Sequence, residues 1–129
     1  MHSLTKYRYK HSKILTLIFD FRIKKCKFVV IPSIWYENCP LNILETHAFG
    51  VPVITMNSGG MAELVEDGKT GLLIKEPTAE ATAEAINKCF EDEEFYSSLK
   101  QNCEIRKDEI IEVGDYADIL IEKYQQIIG

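Results

Sequence analysis

The chain has 129 residues, of which 46% are apolar and 27% charged, with a formal net charge of −5 at pH 7. This suits one soluble globular domain with a real core and argues against a disordered or fibrous chain. The charge is uneven: residues 1–27 hold eight Lys/Arg against one acid, Asp20, and the remainder holds seven against nineteen. A basic arm of this kind fits an anionic membrane surface or nucleic acid, or else a solvated or vestigial N-terminus; the last is the plainer reading, and no nucleic-acid partner is expected. Cys26, Cys39, Cys89 and Cys103 lack the spacing of a zinc site and read as reduced thiols of a cytoplasmic protein. The most apolar early run, Ile14 to Phe21, is broken by Asp20 and falls far short of the roughly 20 residues that span a bilayer. It also lacks a small-residue cleavage site, so membrane contact is at most peripheral, at the inner face.

In chain order, residues 1–13 are polar and basic with no apolar period, and 14–21 read as a strand or as the start of a helix continuing to Cys26. From Phe28 onward the units alternate regularly. A strand over 28–32 leads to a helix over 40–49, stopped by Gly50. Val51 to Thr55 is a second strand, Asn57 to Gly60 a turn, and Met61 to Glu66 a short helix with Glu63 near its third position, where a carboxylate meets free N–H groups. A turn at 67–71 precedes a third strand, Leu72 to Ile74. Pro77-Thr78 opens a helix through Phe90 whose inward face is Ala81, Ala85, Ile86 and Cys89. Glu93 to Asn102 reads as helical, and 107–128 holds a long amphipathic helix with Ala117, Leu120, Ile121 and Tyr124 at helical spacing. Strands alternating with helices predict an α/β fold: a small three-layer, Rossmann-like parallel sheet of three strands, with 14–21 as a candidate fourth. The edge strand 28–32 would then be apolar and unpaired, which invites self-association.

The most informative stretch is Pro32 to Glu45. Pro40 suits the first helical position and Asn38 the cap. The helix start leaves the N–H groups of Leu41, Asn42 and Ile43 without intrahelical partners, and at the mouth of a parallel sheet such an end favours a phosphate. Glu37 sits just outside that end. Glu45 lies five residues past Pro40, roughly 7–8 Å along the axis. A diphosphate there would have a carboxylate on each side. Carboxylates repel phosphate and accept hydrogen bonds from hydroxyls. Hydroxyls at both ends of a diphosphate describe a nucleotide sugar.

The spacing Glu37-x7-Glu45, set in Pro-Ser-x-Trp-Tyr-Glu-Asn-x-Pro-Leu and followed by Gly-Val-Pro-Val-Ile and Gly59-Gly60-x-x-Glu63, resembles the retaining glycosyltransferases with two Rossmann-like domains, the group 1 (family 4) type. The resemblance covers residues 23–129 as the C-terminal, donor-binding part, and leaves 1–22 as an atypical basic segment. It implies that Glu37 contacts the transferred sugar as the catalytic-site residue and that Glu45 holds the ribose. Asn38, Pro40, Leu41, Asn42, Gly59, Gly60 and Glu63 complete the donor-binding set. Family members often carry Glu where Ile34 stands and Ala-Met where Thr46-His47 stand. The donor implied is a UDP- or GDP-sugar, the acceptor a sugar or lipid-linked glycan in polysaccharide synthesis. No metal or other cofactor is expected. Arg22 and Lys27 have the Arg-x4-Lys spacing that the family uses to grip the diphosphate, but the family places that pair far upstream, so this one reads as coincidence. With the phosphate clamp and acceptor domain absent, the expectation is a chain inactive alone. The alternative is a non-catalytic module that binds nucleotide sugar or another chain.

Plainer readings stand beside these. Glu63 is fully explained by helix capping, and Gly59-Gly60 by a turn, though they also permit close approach of a ligand. Trp35 and Tyr36 read as packing residues, with stacking on a base or sugar as the alternative. His47 reads as a surface histidine. Nothing supports a Ser-His-Asp set, a metal cluster or a Gly-x-Gly-x-x-Gly nicotinamide site.

Overall fold

A computed structural model of the chain describes residues 21–110 and 113–128. The expected strand over 14–21 lies outside that range except for Phe21, which with Arg22 and Ile23 is helical. The sheet has three parallel strands in the order β1 (Val29–Ile31), β2 (Val53–Met56) and β3 (Gly71–Ile74). Val29 pairs with Val53, and Val53 with Gly71, so the strands start level. All four residues of β2 are buried, which means both faces of the central strand are covered.

The helices are α1 (Leu41–Ala48), α2 (Gly59–Leu64), α3 (Ala79–Glu91), α4 (Glu93–Arg106) and α5 (Val113–Ile128), with a 3₁₀ turn at Lys107–Glu109. α3 and α4 follow the sequence rules closely. Thr78 caps α3 by accepting from the Ala81 N–H, and Asp92 caps α4 by accepting from the Phe95 N–H at 2.9 Å. One residue therefore separates two helices. The inward face of α3 is as expected, with Cys89 fully buried. The core joins Ile31, Val53, Ile54 and Ile74 of the sheet with Ile43, Met61, Val65, Cys89 and Leu99. Thr55 ties three elements together: its hydroxyl donates to the Ile31 carbonyl at 2.9 Å and contacts the Met61 sulfur at 3.1 Å.

Leu41, Leu44, Glu45 and Ala48 recur at helical spacing in the sequence, but α1 does not turn that stripe inward. Leu41, Glu45 and Ala48 face outward, and Ile43, Thr46 and His47 face in. His47 is therefore a buried residue, not a surface one. Its polar burial is made possible locally and at long range. Thr46 donates back to the Asn42 carbonyl at 2.6 Å, and His47 Nε2 lies 3.3 Å from the Thr70 carbonyl just before β3. Gly50, at φ 66°, ends the helix with its N–H on the His47 carbonyl. α5 carries its apolar stripe in the open: Tyr116, Ile121, Tyr124 and Ile127 are all exposed. Among the described residues no helix is long and apolar enough to cross a membrane.

Candidate functional site at the carboxyl ends of the strands

β1 ends at Ile31, and the chain runs through an irregular loop, 32–40, before α1. Glu37 is half-buried within this loop. Ser33 Oγ donates to Glu37 Oε1 at 3.0 Å, which fixes the carboxylate from within its own loop. The Glu37 carbonyl accepts from the Gly60 N–H at 2.6 Å. The loop and the start of α2 are thus joined through backbone, and the join tolerates no side chain. A Cβ on Gly60 would stand 2.0 Å from the Asn38 carbonyl oxygen, and one on Gly59 2.7 Å from that of Glu37. Gly59 also has φ 50°, which disfavours any L side chain.

The glycines therefore make room for protein and not for open space. They lie in the first turn of α2 rather than in a turn before it, and the Gly60 N–H is already used. The helix begins two residues earlier than expected. That moves Glu63 to its fifth position, exposed and away from the free N–H groups, so it caps nothing.

The start of α1 is close to its predicted place, with one shift. Pro40, at φ −72° and ψ 103°, is the residue before the helix and not its first member, and no side chain caps this end. Asn38 contributes its backbone against Gly60 rather than a capping amide. The Ile43 N–H donates back to the Pro40 carbonyl at 3.1 Å. That leaves the Leu41 and Asn42 N–H groups without a partner among the described residues, at the positive end of the helix dipole. Glu45 is exposed one turn further on. The structure thus brings Glu37, Asn38, Pro40, Leu41, Asn42, Gly59 and Gly60 into one region. Ser33, the internal partner of Glu37, carries no role in the sequence reading; the signal for it is a serine four residues before an acid in an irregular loop.

Beside the loop is a mainly apolar hollow of about 390 Å³, lined by Pro32, Ile34, Met56, Pro77, Thr78 and Ile86 among others. Among the described residues no group of three or more His, Cys, Asp or Glu side chains could hold a metal. Lys27 lies before β1, at the opposite end of the sheet. Its ammonium sits 3.6 Å from Glu93 and over the Tyr96 ring, so it takes no part in this site.

Residues 19–106 match the family described as glycosyl transferases group 1. Glycogen synthase of Pseudomonas savastanoi pv. phaseolicola is 42% identical over 64 residues, covering 50% of this chain and 13% of that protein. Anabaena Alr3699/HepE, solved with UDP and also with UDP-glucose, superposes with a TM-score of 0.72 at 26% identity, covering 81% of this chain and 29% of the other. Sucrose-phosphate synthase from Thermosynechococcus elongatus gives a TM-score of 0.67 at 32% identity over 78% of this chain and 25% of that one. The chain therefore spans less than a third of the length of each of these relatives. With that match across the sheet, the rim loop and the helices that follow, the chain belongs to the group 1 glycosyltransferases.

Proposed function

We propose that this chain is the donor-binding part of a retaining glycosyltransferase and holds a nucleoside-diphosphate sugar, UDP- or GDP-linked, across the rim of its sheet. The observation that carries this reading is the arrangement around α1. Two backbone N–H groups without a partner among the described residues lie between the Glu37 carboxylate, bonded by Ser33 on a loop whose backbone is joined to Gly60, and exposed Glu45. The diphosphate meets the N–H groups of Leu41 and Asn42, Glu37 accepts from hydroxyls of the transferred sugar, and Glu45 accepts from the ribose. The UDP and UDP-glucose bound by HepE are the same ligand class.

In the reaction the departing diphosphate gains negative charge. N–H donors already oriented towards it lower the barrier, because they need no reorganisation as the charge develops. Glu37 contributes by fixing the pose of the sugar. On this reading the chain alone binds the donor and turns it over very slowly or not at all. The acceptor, a saccharide or lipid-linked glycan, is expected to meet the donor on a further part of the enzyme. The open apolar stripe of α5 favours a second reading, a binding module that works with another polypeptide. A measurable turnover of UDP-glucose by the purified chain would exclude that second reading.

Titration of the chain with UDP- and GDP-sugars, followed by amide NMR, tests the main proposal. Leu41 and Asn42 amides should shift, and Glu45→Gln should weaken binding by about 1–3 kcal/mol. Unchanged affinity in Glu45→Gln would remove the ribose assignment.

A further inference from the structure

The three large side chains before Glu37 are conspicuously in the open. Ile34 is 70% exposed, Trp35 77% and Tyr36 79%, although an aromatic pair directly after a strand would ordinarily pack inward. The expected packing role is therefore not what the structure shows. No aromatic or cationic partner meets the Trp35 ring among the described residues. The Tyr36 ring has an edge resting at the start of α2, where two of its carbons would lie 3.3 Å from a Cβ on Gly59. Exposed aromatic surface grouped at a functional rim marks a recognition surface.

We infer that Trp35 and Tyr36 form a stacking platform for a pyranose ring. The inference rests on the donor-binding reading above and adds to it the residues that select the sugar. The order of groups along the loop decides between a sugar and a base. From Trp35 onward the chain presents two aromatic rings, then the Glu37 carboxylate, then the N–H groups of Leu41 and Asn42, then Glu45. If the diphosphate lies at the N–H groups and the ribose at Glu45, the base lies beyond Glu45, at the far end from the aromatic pair. What remains next to the pair is the sugar. A pyranose presents an apolar C–H face and a rim of hydroxyls, and an aromatic face beside a carboxylate complements both. The hollow lined by Pro32 and by Ile34, the residue before Trp35, is of the size that takes a small ligand. The ring could belong to the donor's sugar or to a saccharide acceptor, and the chemistry of recognition is the same for both.

Trp35 is the only tryptophan of the chain, so its emission and its indole N–H resonance report on the platform alone. The full chain is titrated separately with UDP, UDP-glucose and maltotriose. The expected result is a blue shift of Trp35 emission and movement of its indole resonance with UDP-glucose, with maltotriose, or with both, and not with UDP. A response to UDP-glucose alone assigns the donor's sugar; a response to maltotriose assigns an acceptor. Trp35→Ala should weaken the responding sugar ligand about three- to tenfold and leave UDP unaffected, and Trp35→Tyr should restore most of the loss. Circular dichroism shows whether each variant is folded, and the wild-type titrations stand without them. Equal responses to UDP and UDP-glucose would overturn the inference in favour of a base platform. No response to either sugar, with Leu41 and Asn42 amides still shifting with UDP, would overturn the platform and leave the donor reading intact. A shift that follows protein concentration and ignores saccharide would make the surface a protein-docking face and also overturn it.

Discussion

At the end where the strands begin, α4 closes the sheet; at the end where they stop, few contacts among the described residues do. Five long-range hydrogen bonds run from α4 to the chain around the strand starts. Tyr96 donates to the Lys27 carbonyl, Lys100 to Gly50, Asn102 to Lys69, Cys103 to Thr70 and Arg106 to the Glu66 carboxylate. The T-shaped contact between Phe28 and Phe90 and the Lys27 ammonium over the Tyr96 ring add to the same end. At the opposite rim the loop is held by the Ser33–Glu37 and Gly60–Glu37 bonds, and Trp35, Tyr36 and Leu41 stay in the open. The difference teaches where a ligand can be bound. The carbonyls of Lys27, Gly50, Lys69 and Thr70 at the lower end are taken up by α4, whereas the Leu41 and Asn42 N–H groups at the rim have no partner among the described residues.

If the rim depends on one backbone-to-backbone join, breaking that join should have the largest effect. Gly60→Val places a Cβ where the Asn38 carbonyl oxygen lies 2.0 Å away, and neither backbone can yield without moving the loop. The expected loss is about 3 kcal/mol of stability, read from the urea midpoint. Amide shifts should concentrate in residues 33–42. A variant as stable as the parent would show that the loop is not seated on α2.

The lower end is probed by acid. His47 Nε2 lies 3.3 Å from the Thr70 carbonyl, an acceptor only, so Nε2 carries a proton. Its Nδ1 is buried without a partner among the described residues, and the Arg106 cation is nearby. Burial first and Arg106 second lower its pKa from 6.5 to about 4. The folded state then binds fewer protons than the unfolded one. The stability is complete above about pH 6.5 and is lost as pH falls towards 4, with a total on the order of 3 kcal/mol. His47→Leu removes this titration, so the loss between pH 6.5 and 4 should be shallower in the variant than in the parent. Parallel pH profiles would mean that His47 is already open to protons in the native state.

The same contrast explains what the sequence reveals. Strands and helices were legible because Val29–Ile31 and Val53–Met56 are short apolar runs and Thr78 and Asp92 stand at cap positions. The Glu37-x7-Glu45 spacing is local, and so the core of the candidate site was legible too. The inward face of α1 was not. Thr46 and His47 look like surface residues until Thr70, 23 residues beyond His47, supplies an acceptor, and α4 covers them. Gly59-Gly60 was legible as a place for small residues, but the reason is contact with Glu37 and Asn38, some twenty positions earlier, which no local pattern encodes. The exposure of Trp35 is likewise a property of what does not pack on it.

The smallest expected effect separates the two causes of the His47 shift. Arg106 donates to Glu66 at 3.0 Å in a pair that is partly exposed, so Arg106→Gln should cost less than about 1 kcal/mol at neutral pH. Arg106 also repels a proton on His47. Without that cation the folded-state pKa of His47 should rise towards its unfolded value, and the stability lost on acidification should shrink. Burial remains in the variant, so the loss should not vanish. A pH profile identical to the parent's would assign the whole depression to burial, and one as flat as that of His47→Leu would assign it to Arg106.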